Sequence, residues 1–184
     1  MSGLVIRPAA EADAETLAAI YGHHVLTGFG AFEEVPPSAA EMDRRRRAIT
    51  AHGLPYFVAE EAGRLLGYAY AGPFRARAAY RFTVEDSVYV ASDAMGRGVG
   101  RAVLSAVLDG CEAMGLRQVL AVIGDSANAA SIGLHRALGF EPAGVGRSVG
   151  FKHGRWVDIV WMQKSLRGGD EFPPDGPGVR LSGS

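Results

Sequence analysis

Two spacings of apolar residues alternate along the chain. "LVIRPA" (4–9) and "TVEDSVYVAS" (83–92) hold β-branched and aromatic residues in short runs, as strands do. In "EADAETLAAIYGHHVL" (11–26), Leu17, Ile20, Tyr21 and Val25 recur every three to four residues, the period of a helix buried on one side. "SAAEMDRRRRAITAHG" (38–53) predicts a second helix, with Ser38 and Glu41 at capping-box spacing and Gly53 at its end. "PYFVAEEAGRLLGYAYAGPF" (55–74) predicts two strands joined at "EEAGR" as a hairpin. "RARAAYRF" (75–82) is a polar connection. Val99, Val103, Ala106, Val107 and Gly110 then mark one face of a third helix. "RQVLAVIGD" (117–125) is nearly all apolar, as expected of a strand covered on both faces. "SANAASIGLHRALGF" (126–140) predicts a fourth helix, with Gly139 as its left-handed end residue. Two strands around "KHGR" follow in 141–166. This order predicts a single α/β domain over 1–166, one mixed central sheet flanked by helices. Segment 167–184, rich in Gly, Pro and Ser, has little to bury and reads as a tail.

Composition narrows the class. The 184 residues are 48% hydrophobic with a formal net charge of -1, which suits one packed globule and gives no field that would gather nucleic acid. The lone Cys111 falls in an apolar helical pattern, so it reads as a buried small residue in a reducing, cytoplasmic setting. The first residues lack the apolar run of a secretory signal, and no stretch is long enough to cross a bilayer. His23, His24, His52 and His153 lack metal-ligand spacing, so no metal is expected. The four arginines 44–47 span a full helical turn and read as a solvated face.

The stretch "MGRGVGRAVL" (95–104) is different. Glycines alternate with other residues where a strand ends and a helix begins. A helix N-terminus offers unpaired N–H groups and a partial positive charge, and glycines let backbone approach an anion. A phosphorylated cofactor fits, and a glycine turn without ligand is the alternative. Neither a P-loop nor a dinucleotide fingerprint can be read here.

With "SVYV" before it, this stretch resembles the pyrophosphate-binding motif of the GNAT acetyltransferases, Gly98 and Gly100 matching and Met95 replacing the usual Gln or Arg. "NAASIGLHRALGF" resembles a later helix of that family, with Asn128, Ser131, Gly139 and Phe140 in place. The resemblance runs from about Leu4 to Leu166. "TGFGAFEEVPPS", "AGPFRARAAYRFTVEDSVYV", "VIGDSANAASIGLHRALGF" and "VGFKHGRWVDIVWMQ" further resemble the phosphinothricin and methionine sulfone/sulfoximine N-acetyltransferases. It implies the GNAT fold, acetyl-CoA as cosubstrate, a small amine as acceptor, and a homodimer.

Residue by residue, the resemblance implies that backbone from Gly96, Arg97, Gly98, Val99, Gly100 and Arg101 wraps the pyrophosphate. Val88, Tyr89 and Val90 would pair with the pantetheine as an added strand. Asn128 would bond the pantetheine arm, or cap its helix, or both. An aliphatic ammonium must lose a proton before it attacks. Glu85 is the candidate base, with pairing to an arginine of "RARAAYR" as the alternative. A backbone N–H near Val90 would polarise the thioester carbonyl. His135 stands where the family often has a tyrosine acid; it reads as a proton donor or as a packed core histidine. Asp86 should point to the face opposite Glu85. Arg75, Ala76, Arg77, Asp86 and Ser87 are expected near the acceptor. The arginine forks suit a carboxylate or a tetrahedral sulfur or phosphorus oxygen pair, or else belong to a solvated loop. Phe29, Phe32 and Glu33 could line the same pocket or pack in the core. Acetylation of a protein or polyamine would call for an open acidic groove, which the arginines oppose. A silent acetyl-CoA-binding regulator would have no use for Glu85.

Overall fold

Strand alternation sorts the side chains onto two faces of one sheet. The computed structural model describes residues 3–181. Its strands are β1 (Val5–Pro8), β2 (Tyr56–Glu61), β3 (Arg64–Pro73), β4 (Thr83–Val90), β5 (Gln118–Gly124), β6 (Glu141–Lys152) and β7 (Arg155–Ser165). They lie in the order β1-β2-β3-β4-β5-β7-β6, all antiparallel except β4 beside β5. Helices α1 (Ala14–Thr27) and α2 (Ala39–Thr50) cover one face, burying Leu17, Ile20, Val25 and Met42 against Tyr56, Val58 and Tyr68. On the other face α3 (Val99–Ala113) buries Val99, Val103, Leu104 and Val107 against Leu66, Ala69, Val84 and Ala121. Helix α4 (Ala129–Ala137) packs on the same side through Ile132 and Leu134. Cys111 is buried, and desolvation first, with the charge of Asp86 second, pushes its thiol up to about 12.

The predicted order of elements stands, with local differences. A single 3-10 turn (Glu11–Asp13) precedes α1, and another (Ala78–Tyr80) sits inside the polar connection. Helix α4 starts only at Ala129, because Asn128 accepts a hydrogen bond from the Ser131 N–H as its cap; Gly139 follows it at φ 85°. The arginines 44–47 lie on α2 and are ion-paired: Arg44 and Arg45 with Glu41, Arg45 also with Glu33, Arg46 and Arg47 with Asp43. The expectation that the last segment has little to bury is corrected. Val179 and Leu181 insert into the core, and the Val179 N–H donates to the Arg81 carbonyl. Positions 1–2 and 182–184 of the predicted domain and tail lie outside the described residues.

One topological feature makes the site. β4 and β5 run side by side only from Thr83 to Asp86, against Gln118 to Ala121. Beyond that, β4 continues with β3 alone to Val90, and β5 continues with β7 alone to Gly124. The sheet therefore forks, and the fork opens a gap between two strand ends.

Candidate functional site

A cavity of about 520 Å³ occupies the fork. Its walls are the open ends of β4 and β5, the glycine turn before α3, the start of α4, and the segment after α1. The Ala91 N–H donates to Leu66 of β3. By ladder alternation, Val88 and Val90 therefore turn their N–H and C=O groups away from β3, into the gap. His24 of α1 takes one of these groups: its Nε2 donates to the Val90 carbonyl at 2.9 Å. Burial lowers the His24 pKa, partly opposed by that bond. The Val88 and Val90 N–H groups face the cavity, where an extended amide chain would complete the strand pairing.

At the other side of the gap, Gly96 and Gly98 adopt φ of 74° and 82°, where a side chain would be strained. Gly100 has a different reason to be glycine: a Cβ there would crowd Leu134 and Val90 at 3.3 Å, so it brings α3 close to β4 and α4. The first intrahelical bond of α3 runs from the Ala102 N–H to the Gly98 carbonyl, which leaves the N–H groups of Val99, Gly100 and Arg101 without helical partners. These donors, with the positive helix end, fit a diphosphate. The unpaired strand donors, the glycine turn and the cavity volume together fit a nucleotide diphosphate carrying an extended amide arm.

Two adjacent carboxylates lie at the fork, on opposite faces of β4. Asp86 is 5% exposed and His135 of α4 is 2% exposed; a 3.0 Å hydrogen bond joins Asp86 Oδ2 to His135 Nε2. The His135 Nδ1 donates to the Ser131 carbonyl at 2.8 Å. Since that carbonyl only accepts, Nδ1 carries a proton, and one further proton is shared between Nε2 and Asp86. Burial alone would lower the His135 pKa; the hydrogen bond to Asp86, its charge and the Ser131 carbonyl outweigh this and raise it. Asp86 Oδ1 is buried without a hydrogen-bond partner among the described residues. Glu85 faces the α1/α2 side, half-buried, with no hydrogen bond or ion pair among the described residues. Desolvation first, and the charge of Asp86 second, raise its pKa, against the opposing charge of Arg75.

Of the residues singled out in the sequence, the cavity wall contains Phe29, Asp86, Ser87, Val88, Tyr89, Val90, Gly96, Gly98, Val99, Gly100, Arg101, Asn128 and His135. Others lie off it. Arg97 turns its guanidinium outward to Glu61. Phe32 packs against Gly124 and Gly150 instead of lining the cavity, and Glu33 pairs with Arg45 and Tyr21. Arg75, Ala76 and Arg77 are exposed on the connection before β4. Arg75 stacks over Phe74, with its charge felt at Glu85. Glu85 sits one strand repeat from the cavity residue Ser87. The sequence reading gave no site role to His24, Met95 or Leu134, which also line the cavity. A histidine within a helical pattern carries no local sign that it will reach a strand carbonyl. Among the described residues, no group of three or more His, Cys, Asp or Glu side chains could hold a metal ion, and no helix is long and apolar enough to cross a membrane.

The comparisons agree with this geometry. The profile of the acetyltransferase (GNAT) domain matches residues 6–161. A phosphinothricin N-acetyltransferase of Alcaligenes faecalis is 54% identical over 92% of this chain and 86% of its own length. An L-methionine sulfoximine/L-methionine sulfone acetyltransferase of Pseudomonas paraeruginosa is 43% identical over 88% of this chain and 94% of its own. The crystal structure of a GNAT superfamily phosphinothricin acetyltransferase from Sinorhizobium meliloti, in complex with acetyl-CoA, superposes with a TM-score of 0.92 at 46% identity, covering 99% of this chain and 98% of that one. A forked sheet, a left-handed glycine turn at a helix start and this degree of likeness lead to one conclusion: the chain belongs to the GNAT acetyltransferase family.

Proposed function

We propose that this protein moves an acetyl group from acetyl-CoA directly to the amino group of a small amino acid, one whose side chain ends in an oxygen-rich tetrahedral sulfur or phosphorus: phosphinothricin, methionine sulfone or methionine sulfoximine. The observation that carries the reading is the fork, where unpaired strand donors and a left-handed glycine turn meet at one cavity, with Asp86 in its wall and Glu85 one strand repeat from the cavity residue Ser87. The substrate class rests on the names of the relatives and on Arg75, whose charge is felt at Glu85.

Bound acetyl-CoA supplies the activated acyl group and a thiol leaving group. The N–H groups of Val99, Gly100 and Arg101, with the backbone of Gly96, Arg97 and Gly98, hold the diphosphate. Val88 binds the extended arm through its inward N–H, and Asn128 orients it. The Val90 N–H, fixed by the His24 bond to the neighbouring carbonyl, is placed to polarise the acyl oxygen. Glu85, half-buried and unpaired, takes the proton of the acceptor ammonium directly or through one water. His135 lines the cavity, and the proton it shares with Asp86 is the one available to the departing sulfur. No step in this scheme calls on a metal ion.

The protein acts as a homodimer in this reading. β6 is a sheet edge, and Val145, Val149, Phe151 and Trp156 of the β6–β7 hairpin are exposed large apolar residues. The buried lone thiol suits the cytoplasm, and the net charge of -1 gives nucleic acid no purchase. The test is CoA release, followed with a thiol-reactive dye, on adding phosphinothricin, methionine sulfone, methionine sulfoximine, methionine, spermidine or an N-terminal peptide. Turnover with the first three and not the last two is expected. Turnover confined to peptide or polyamine would overturn the substrate assignment.

A further inference from the structure

The segment 28–34, between α1 and α2, closes one end of the cavity, and it is fastened from behind by an unusual group. Lys152, the last residue of β6, is 2% exposed. Its ammonium donates to the Gly28 carbonyl at 2.9 Å and to the Ala31 carbonyl at 2.6 Å. It forms no ion pair among the described residues, although Glu34 is near enough to oppose the lowering of its pKa by burial. A buried charge held by carbonyls alone is a costly way to fasten a loop, since an apolar side chain could pack there without desolvation loss. The fastening is also redundant. A Cβ on Gly124 would overlap the Phe29 carbonyl oxygen, and one on Gly150 would overlap the Phe32 ring. The Arg155 guanidinium, paired with Asp125, lies 3.8 Å from the centre of the Phe29 ring. Close packing and a cation–π contact already seat the segment, so the charge calls for another purpose.

The peptide between Gly28 and Phe29 gives that purpose. No described peptide bond is cis, so this unit points its N–H opposite to its carbonyl. The carbonyl faces Lys152, so the Phe29 N–H faces away from Lys152. Gly28, Phe29 and Gly30 line the cavity, and Lys152 does not. The Phe29 N–H makes no hydrogen bond among the described residues. A cation bonded to a peptide carbonyl polarises the whole unit and strengthens its N–H as a donor.

We infer that the Phe29 N–H, aimed and polarised by Lys152, is a binding site for an anionic oxygen of the acceptor, its carboxylate or its phosphinyl group. Lys152 is a positioning residue here and touches no substrate. The inference rests on the amino-acid reading of the acceptor.

The test compares three variants by steady-state kinetics with phosphinothricin and with methionine sulfone. Phe29→Ala removes the ring and keeps the N–H; Phe29→Pro removes both. Gly28 has extended backbone, φ -129° and ψ 178°, which a following proline accepts. Loss of a hydrogen bond to a charged group corresponds to roughly a tenfold to hundredfold effect. Phe29→Pro is therefore expected to raise the acceptor KM by roughly that factor over Phe29→Ala, and Lys152→Met to raise it similarly over wild type. The dissociation constant of acetyl-CoA should stay unchanged in all three. A rise with both acceptors assigns the site to the carboxylate, which both carry; a rise with phosphinothricin alone assigns it to the phosphinyl group. Equal KM values for the two Phe29 variants, or a wild-type KM in Lys152→Met, would overturn the inference. A wild-type enzyme that acetylates only amines without a carboxylate would overturn both this inference and the proposed function, so the two failures are distinguishable.

Discussion

Glu85 and Asp86 are neighbours in sequence, alike in chemistry, and opposite in situation. Strand alternation turns Asp86 toward α4, where His135 bonds it, and turns Glu85 toward α1 and α2, where no described residue does. Both feel the same fork. The difference teaches that partnering, more than burial, separates a carboxylate that holds a proton in place from one that can accept it from a substrate. Asp86 and His135 form a closed unit with one shared proton. Glu85 has a raised pKa and an unoccupied oxygen pair beside the cavity.

The largest expected effect comes from Glu85→Gln. Removal of a general base costs roughly a hundredfold to ten-thousandfold in kcat, while acetyl-CoA binding should persist. The stability effect has the opposite sign. A carboxylate whose folded pKa is raised contributes stability below its unfolded pKa and loses it as pH rises through the folded value. Glu85→Gln should therefore unfold at a higher temperature than wild type at pH 7, with the gap closing below about pH 4. Thermal unfolding at the two pH values, alongside kcat, checks both halves. A variant that stays fully active would end the base assignment.

Asp86→Ala should show the reverse balance. It leaves the buried His135 Nε2 without a partner, at about 1–3 kcal/mol of stability. Its kinetic mark is a pH shift. His135 must hold a proton to act as donor, so activity falls as pH rises through its pKa. Asp86 helps raise that pKa. The alkaline limb of kcat should accordingly move to lower pH in Asp86→Ala, and an unmoved limb would reduce the pair to a structural contact. The smallest effect belongs to Arg75→Ala. Arg75 is exposed and its charge opposes the rise at Glu85. The acid limb should creep upward by a fraction of a unit, with kcat at high pH unchanged, unless Arg75 also binds the acceptor, in which case KM rises too.

Much of this contrast was legible in the sequence. The alternation of "TVEDSVYV" placed Glu85 and Asp86 on opposite faces, and the glycines of "MGRGVG" marked the turn where backbone can approach an anion, which the structure makes left-handed at Gly96 and Gly98. Those signals are local: a period of two, or a backbone angle that only glycine takes easily. What escaped is made by pairing over distance. The fork depends on where β5 leaves β4 for β7, and no residue of β4 announces it. Lys152 looked like a turn residue beside "HGR", yet it reaches Gly28, 124 positions away. Val179 and Leu181 sit in a stretch whose composition reads as a tail; two apolar side chains among many glycines and prolines were enough to dock it. Phe32 matched the expected neighbourhood and still points elsewhere, because side-chain direction is set by packing.

The fork has a consequence for isotope exchange. In a continuous sheet the inward amides of Val88 and Val90 would be among the slowest to trade hydrogen for deuterium, since β4 runs through the middle. Here they lack a strand partner, so they should exchange like the rim of the molecule while Val84 and Asp86, a few residues earlier, stay protected. Any molecule that completes the strand should close the gap between those two rates. The same four amides then report occupancy of the cleft without any turnover at all, and would do so even in a variant that has lost its base.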